Sequence, residues 1–235
     1  MTYKSPLNDS STIFAVTIDG PAGSGKSTMA RILAKKIHAT MVDTGAMYRA
    51  VTAKMIDTGQ DPKDEAAVAK VAREIQINFA GEDSARTLAD GVDVSSRIRR
   101  PDVNSLVSKI SAYPLVRHEM TRLQRKMAEG VRVVMEGRDT GSVVLPSARF
   151  KFFLVAGPSV RAERRRLEMA QAGDNARQEE VLAGITARDQ MDSQRATSPL
   201  VKPEGAVEID TSQLDIDEVL ERMLLLIVSE GCDAP

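Results

Sequence analysis

The chain has 235 residues, 42% of them hydrophobic and 28% charged, and its 32 Lys+Arg against 33 Asp+Glu leave a formal charge of −1. That balance fits a globular protein with one full-sized core and disfavours a generic nucleic-acid binder, which would be basic. No apolar run approaches the ~18 residues of a membrane span, and the first dozen residues lack the apolar stretch of a secretory signal. Cys232 is the only cysteine, so neither an internal disulfide nor a cysteine-based zinc cluster is expected, and the expected compartment is a reducing cytoplasm.

Residues 1–12 read as a polar, frayed tail. Ile13 to Ile18 is a short, β-branched apolar run, as in a strand buried on both faces of a parallel sheet. Similar runs recur at Thr40–Val42, Val131–Met135, Phe150–Val155 and Ala206–Ile209. Helical patterns lie between most of them, at Met29–Ile37, Ala46–Ile56 and Leu115–Met127, and a stripe from Ile216 to Ile227 closes the chain. Strands alternating with helices imply an α/β fold with a five-stranded parallel sheet core flanked by helices. From about Asp61 to Pro101 the alternation breaks. A helix over Glu65–Arg73, a strand-like Ile75–Phe79 and a hairpin signal at Asp90-Gly91 predict a small α+β insert over residues 61–100. The core is then 13–60 together with 101–235.

Gly20-Pro21-Ala22-Gly23-Ser24-Gly25-Lys26-Ser27 fits G-x-x-x-x-G-K-[ST] and lies between the first strand and the first helix, which is the context this motif requires. The glycines let backbone N–H groups turn inward on phosphate oxygens, and the helix adds its positive N-terminal end. Lys26 would reach the β/γ-phosphates, and the Ser27 hydroxyl would sit on Mg²⁺. The motif predicts nucleoside triphosphate binding. It does not by itself separate a kinase from a regulatory switch or a motor, although no N-K-x-D element of guanine-specific GTPases occurs. Two further stretches follow strands and should face the same cleft. One is Asp43-Thr44-Gly45-Ala46-Met47-Tyr48-Arg49, with Thr44 read as the cap of a helix. The other is Glu136-Gly137-Arg138-Asp139-Thr140-Gly141.

Arginine is unevenly spread: 21 Arg against 11 Lys, with 16 of the arginines between Arg97 and Arg195. They read either as solvated helix faces paired with Glu or as planar donors for phosphate. Arg188, Asp192 and Arg195 are spaced to share one helical face, as a salt-bridge ladder or as a binding set. Arg161, Arg164 and Arg165 share another, with Glu163 and Glu168 as partial compensation. Arg138 and Asp139 could simply stabilise their turn. His38 and His118 are isolated and read as structural.

IDGPAGSGKST (18–28), DTGAMYR (43–49), AYPLVR (112–117), GRDTGSVVLP (137–146), RAERRR (161–166) and RDQMDSQRATSPL (188–200) together resemble the bacterial cytidylate kinase family, within the nucleoside monophosphate kinases. The resemblance implies a P-loop fold of that class, a helical lid at about 161–195 and an insert that binds the monophosphate. By it, Gly20, Pro21, Ala22, Gly23, Ser24, Gly25, Lys26, Ser27 and Thr28 would hold ATP, with Arg161, Arg164 and Arg165 from the lid. Thr44 would lie next to the cytosine of CMP, Ser108 and Arg117 would read that base, and Tyr48 would also bind CMP. Arg49, Arg138 and Arg188 would address its phosphate or the group in transit, and Asp139 and Asp192 its sugar, with Arg195 close by as a further CMP-binding residue. Lys26, Arg138 and Arg188 would be catalytic. Glu136 stands where the family pattern has Asp, and Met191 where an Arg is familiar. The implied reaction is phosphorylation of CMP and dCMP by ATP with Mg²⁺, in pyrimidine nucleotide metabolism, by a monomer that takes small-molecule substrates. The alternatives are a UMP or AMP kinase and a P-loop regulatory or RNA-binding NTPase.

Overall fold

The structure is a computed structural model that describes residues 14–81, 84–171 and 176–229. The expected tail, Cys232 and residues 172–175 of the expected lid lie outside the described residues. Five strands form one parallel sheet: β1 (Ala15–Asp19), β2 (Thr40–Asp43), β6 (Val133–Gly137), β7 (Phe150–Val155) and β8 (Val207–Asp210). Their spatial order is β2-β6-β1-β7-β8, and all four pairings are parallel. β1 is therefore central, with the chain leaving to either side of it, and its carboxyl end is the switch point where such sheets bind ligands.

Alternation along these strands makes two cores. Val16, Ile18, Val134, Phe152 and Leu154 face α1 (Lys26–Lys36) and α8 (Ile216–Ser229), where Leu33, Met223 and Ile227 meet them. Val42, Val133 and Met135 face the other way, onto α2 (Thr44–Asp57), α4 (Pro101–Ile110) and α5 (Pro114–Ala128). Sequence punctuation sets the helix starts. Pro101 and Pro114 open α4 and α5 at the position where a missing N–H costs nothing. Asp64 caps α3 (Glu65–Glu74) by accepting from Ala67 N at 2.9 Å. α2 starts differently from the expectation. Asp43 is the cap, accepting from Ala46 N at 2.8 Å, while Thr44 is already helical. The Thr44 hydroxyl is instead drawn to the next strand, where it donates to Glu136 O at 2.8 Å.

Between α2 and α4 lie α3 and a three-stranded antiparallel sheet of β3 (Ile77–Ala80), β4 (Arg86–Ala89) and β5 (Val92–Asp93). Asp90 and Gly91 both have positive φ, 52° and 81°, as the tight hairpin turn between β4 and β5 requires. The last pair, α6 (Pro158–Gln171) and α7 (Gln178–Gln194), packs around an apolar seam of Ala162, Val181 and Ile185, with Met169 and Leu182 partly buried beside it. Among the described residues no helix is long and apolar enough to cross a membrane.

Candidate active site

The loop from Gly20 to Gly25 leaves the central strand, and three of its glycines take positive φ: 147° at Gly20, 75° at Gly23 and 90° at Gly25. That is backbone a side chain would strain, and turns of this kind can present successive N–H groups to an anion. Lys26 opens α1 with its side chain buried, donating from Nζ to Pro21 O at 2.6 Å, 3.5 Å from Ser24 Oγ. Burial, reinforced by the cations of Arg138 and Arg188, pushes this lysine down to about 7. An ammonium so destabilised gains strongly when a polyphosphate enters.

Carboxylates gather at the strand ends beneath the loop. Asp43 and Glu136 face each other across β2 and β6, and the Ser27 hydroxyl donates to Glu136 Oε1 at 2.8 Å. Burial and then the neighbouring Asp43 raise Glu136 to about 8. Hydroxyl and carboxylate oxygens are the hard donors that Mg²⁺ takes, so this set fits the metal that Ser27 is expected to hold. Asp19, at the end of β1, accepts from Thr140 N at 2.8 Å, Thr140 Oγ1 at 2.8 Å and Gly141 N at 2.7 Å. It pins a wide turn over Thr140–Val144, so that the arginine and aspartate before the turn face the cleft. Burial raises the Asp19 carboxyl above its ordinary value despite these donors.

Arg138 and Asp139 do not pair with each other. Arg138 donates to Asp192 Oδ2 of α7 at 3.0 Å, and Asp139 pairs with Arg117 of α5 and lies 3.5 Å from Arg195. Arg195 is the first residue beyond α7, with extended backbone, so the one-helix reading of Arg188, Asp192 and Arg195 is corrected. The three still meet, because Asp192 lies 3.9 Å from Arg188 and 3.6 Å from Arg195. Its contact with Arg138 is closer than either, so the cluster is more than an intrahelical ladder. Arg117 is buried, donates to Ser111 O at 3.0 Å and lies over the Tyr48 ring, 5.4 Å from its centroid. Burial pushes the Tyr48 hydroxyl up to about 12. Ser108 is half-buried on α4, one turn before Ser111.

Arg49 reaches α4, bonding to Asn104 Oδ1 and lying 3.4 Å from Ile98 O. Burial and the cations of Arg188 and Arg165 push it down to about 9. Arg188 is pushed to about 10 by burial and by Arg138. Cations crowded at the cost of their own ionisation want anions between them. The lid arginines diverge. Arg165 pairs with Glu168 at 2.9 Å, Arg164 donates to Thr211 O at 2.6 Å, and Arg161 is buried against the phosphate loop. Met191 is 51% exposed and contributes no polar group. Asp19, Asn104 and Asp189 were not singled out from the sequence. A carboxylate ending the central strand directly before the phosphate loop was a usable signal for Asp19. The other two acquire their partners through the fold.

A family model described as "Cytidylate kinase" matches residues 16–229. The chain belongs to the cytidylate kinase family. It is 50% identical over 208 residues to a protein named cytidylate kinase from Caldanaerobacter subterraneus subsp. tengcongensis, covering 88% of this chain and 92% of that one. Another of that name, from Limosilactobacillus reuteri, is 46% identical over 214 residues, covering 90% and 94%. A crystal structure of an uncharacterized protein from Eubacterium ventriosum shares the fold, with a TM-score of 0.51 at 12% identity over 92% of this chain and 99% of that one. Membership makes the chain a phosphotransferase of the P-loop kinase class, which disfavours the switch and RNA-binding alternatives.

Proposed function

We propose that the protein transfers the γ-phosphoryl group of ATP to the phosphate of CMP or dCMP, giving ADP and CDP or dCDP, as a cytoplasmic monomer in pyrimidine nucleotide metabolism. The observation that carries this reading is the meeting of three cations from three elements beside the phosphate loop: Arg138 and Arg188 both lower the proton affinity of the buried Lys26, and Arg138 lowers that of Arg188. A phosphoryl group in transit, with its charge spread over three oxygens, is the species such a point suits. The acceptor is already an anionic phosphate, so no strong base is needed.

The loop amides and Lys26 grip the ATP phosphates, with Arg164 and Arg165 approaching from α6. Arg49, Arg138 and Arg188 hold the phosphate of CMP in line with the γ-phosphoryl group. Thr44, Tyr48, Ser108 and Arg117 surround the base, and Asp139, Asp192 and Arg195 meet the sugar. Mg²⁺, held through Ser27 with Glu136 and Asp43 behind it, would neutralise charge on the β- and γ-phosphates when bound. In this arrangement residues 61–100 form the monophosphate-binding insert, and α6 with α7 the lid whose closure excludes water.

The test is a coupled ADP-release assay against a panel of monophosphates. CMP and dCMP should exceed UMP by roughly tenfold to several hundredfold in kcat/KM, because a base with the wrong donor–acceptor pattern leaves buried polar groups unpaired at about 1–3 kcal/mol each. AMP should fail by size. Equal turnover of UMP would overturn the cytosine assignment and leave the kinase class intact.

A further inference from the structure

Two charged side chains outside the reacting centre grip the phosphate loop by its outer limb. The N–H of Ala22 donates to Asp189 Oδ1 on α7 at 3.2 Å, and its carbonyl accepts from Arg161 Nη1 on α6 at 3.0 Å. Arg161 also pairs with Asp189 and donates through Nε to Ala156 O at 3.0 Å, at the carboxyl end of β7. The guanidinium is buried, and both its Nε and its Nη1 are committed to protein acceptors. The approach is close. A Cβ on Gly23 would lie 2.9 Å from Arg161 O, and Ala22 packs on the Ala162–Val181–Ile185 seam.

We infer that Arg161 and Asp189 are positioning residues, a clamp through which α6 and α7 together set the shape of the phosphate loop. A loop with three positive-φ glycines has many conformations open to it, and its amides receive phosphate only in one of them. Fixing both backbone groups of one residue from two helices removes that freedom before the nucleotide arrives. It also makes the seating of the two helices and the readiness of the loop one cooperative unit. Arg161 then acts on ATP through Ala22 and not by touching it, unlike the role the family resemblance implies. The kinetic part of the test rests on the proposed ATP site, whereas the exchange part does not.

The experiment compares Arg161→Met, Asp189→Ala and the double variant, with circular dichroism confirming the fold. In nucleotide-free protein, amide exchange across residues 20–25 should rise at least about tenfold in either single variant and no further in the double. KM for ATP should rise about tenfold in each single and by about the same factor in the double, with KM for CMP within about twofold. Asp189→Asn keeps an oxygen for the Ala22 N–H and should recover most of the loss. Should Arg161→Met fail to fold, Arg161→Lys replaces it, with the same exchange readout. Unchanged exchange without nucleotide, together with a KM effect in the Arg161 variant alone, would overturn the clamp and make Arg161 a direct ATP contact. Raised exchange in an enzyme that phosphorylates no monophosphate would uphold the clamp and overturn the proposed function instead.

Discussion

Lys26 shows how one side chain is made reactive by its surroundings. It is buried, near other cations, and its ammonium lies on oxygens of its own loop. Lys26→Ala should keep the fold and reduce kcat to below a tenth of wild type, since a point charge at the β/γ-phosphates is worth several kcal/mol in the transition state. Retention of more than a tenth of the turnover would show that the phosphates lie elsewhere. Glu136 offers a pH test in the nucleotide-free protein. Its pKa is raised from 4.5 to about 8, so between those values the folded state holds a proton that the unfolded state releases. Stability from this group is full below about 4.5 and is lost as pH rises towards 8. Lys26 acts oppositely: lowered to about 7, it binds fewer protons folded than unfolded above that value, and its contribution recovers with rising pH. Glu136→Gln should therefore flatten the fall in Tm between pH 5 and 8. An unchanged profile in that variant would show that another group carries it.

At the scale of elements, the α3–β3–β4–β5 unit packs Val68, Val71, Ile75 and Ile77 into the core it shares with α2, α4 and α5, and two ion pairs join its margin to α2, Lys54 to Asp90 at 2.7 Å and Arg97 to Asp57 at 2.7 Å. The first is partly exposed and the second pairs a carboxylate half open to water, so neither fixes the unit rigidly. Its neighbour α4 carries Asn104, which holds Arg49, and Ser108. Added CMP should therefore raise hydrogen-exchange protection over β3–β5 and α4, while an ATP analogue alone should leave it nearly unchanged. The reverse ordering would reassign this unit to the nucleoside triphosphate.

Across the whole molecule, a chain of charge −1 carries a local ring of cations from Lys26, Arg49, Arg138 and Arg188. Anions entering the cleft relieve the repulsion among these cations, so full closure should need both nucleotides. Small-angle scattering should show a smaller radius of gyration with CMP and a non-hydrolysable ATP analogue together than with either alone. Equal contraction with CMP alone would mean that α6 and α7 do not respond to the triphosphate.

The periodicities were enough for the five strands, the hairpin at Asp90-Gly91 and the helices α1, α2, α5 and α8, because burial imposes period 2 on strands and 3.6 on helices. The phosphate loop was equally legible, since its geometry demands glycines and one lysine at set spacing. Chain order says nothing of which strands are neighbours. Only the sheet order β2-β6-β1-β7-β8 brings Asp43 beside Glu136 and gives each carboxylate its partner. The same holds for Arg161: its helical spacing grouped it with Arg164 and Arg165, yet tertiary packing turned it onto Ala22 and Asp189. A charged side chain's chemistry is written in the sequence, but its role depends on which acceptors the fold carries to it, and for Arg161 one of these, the Ala22 carbonyl, comes from more than a hundred positions away.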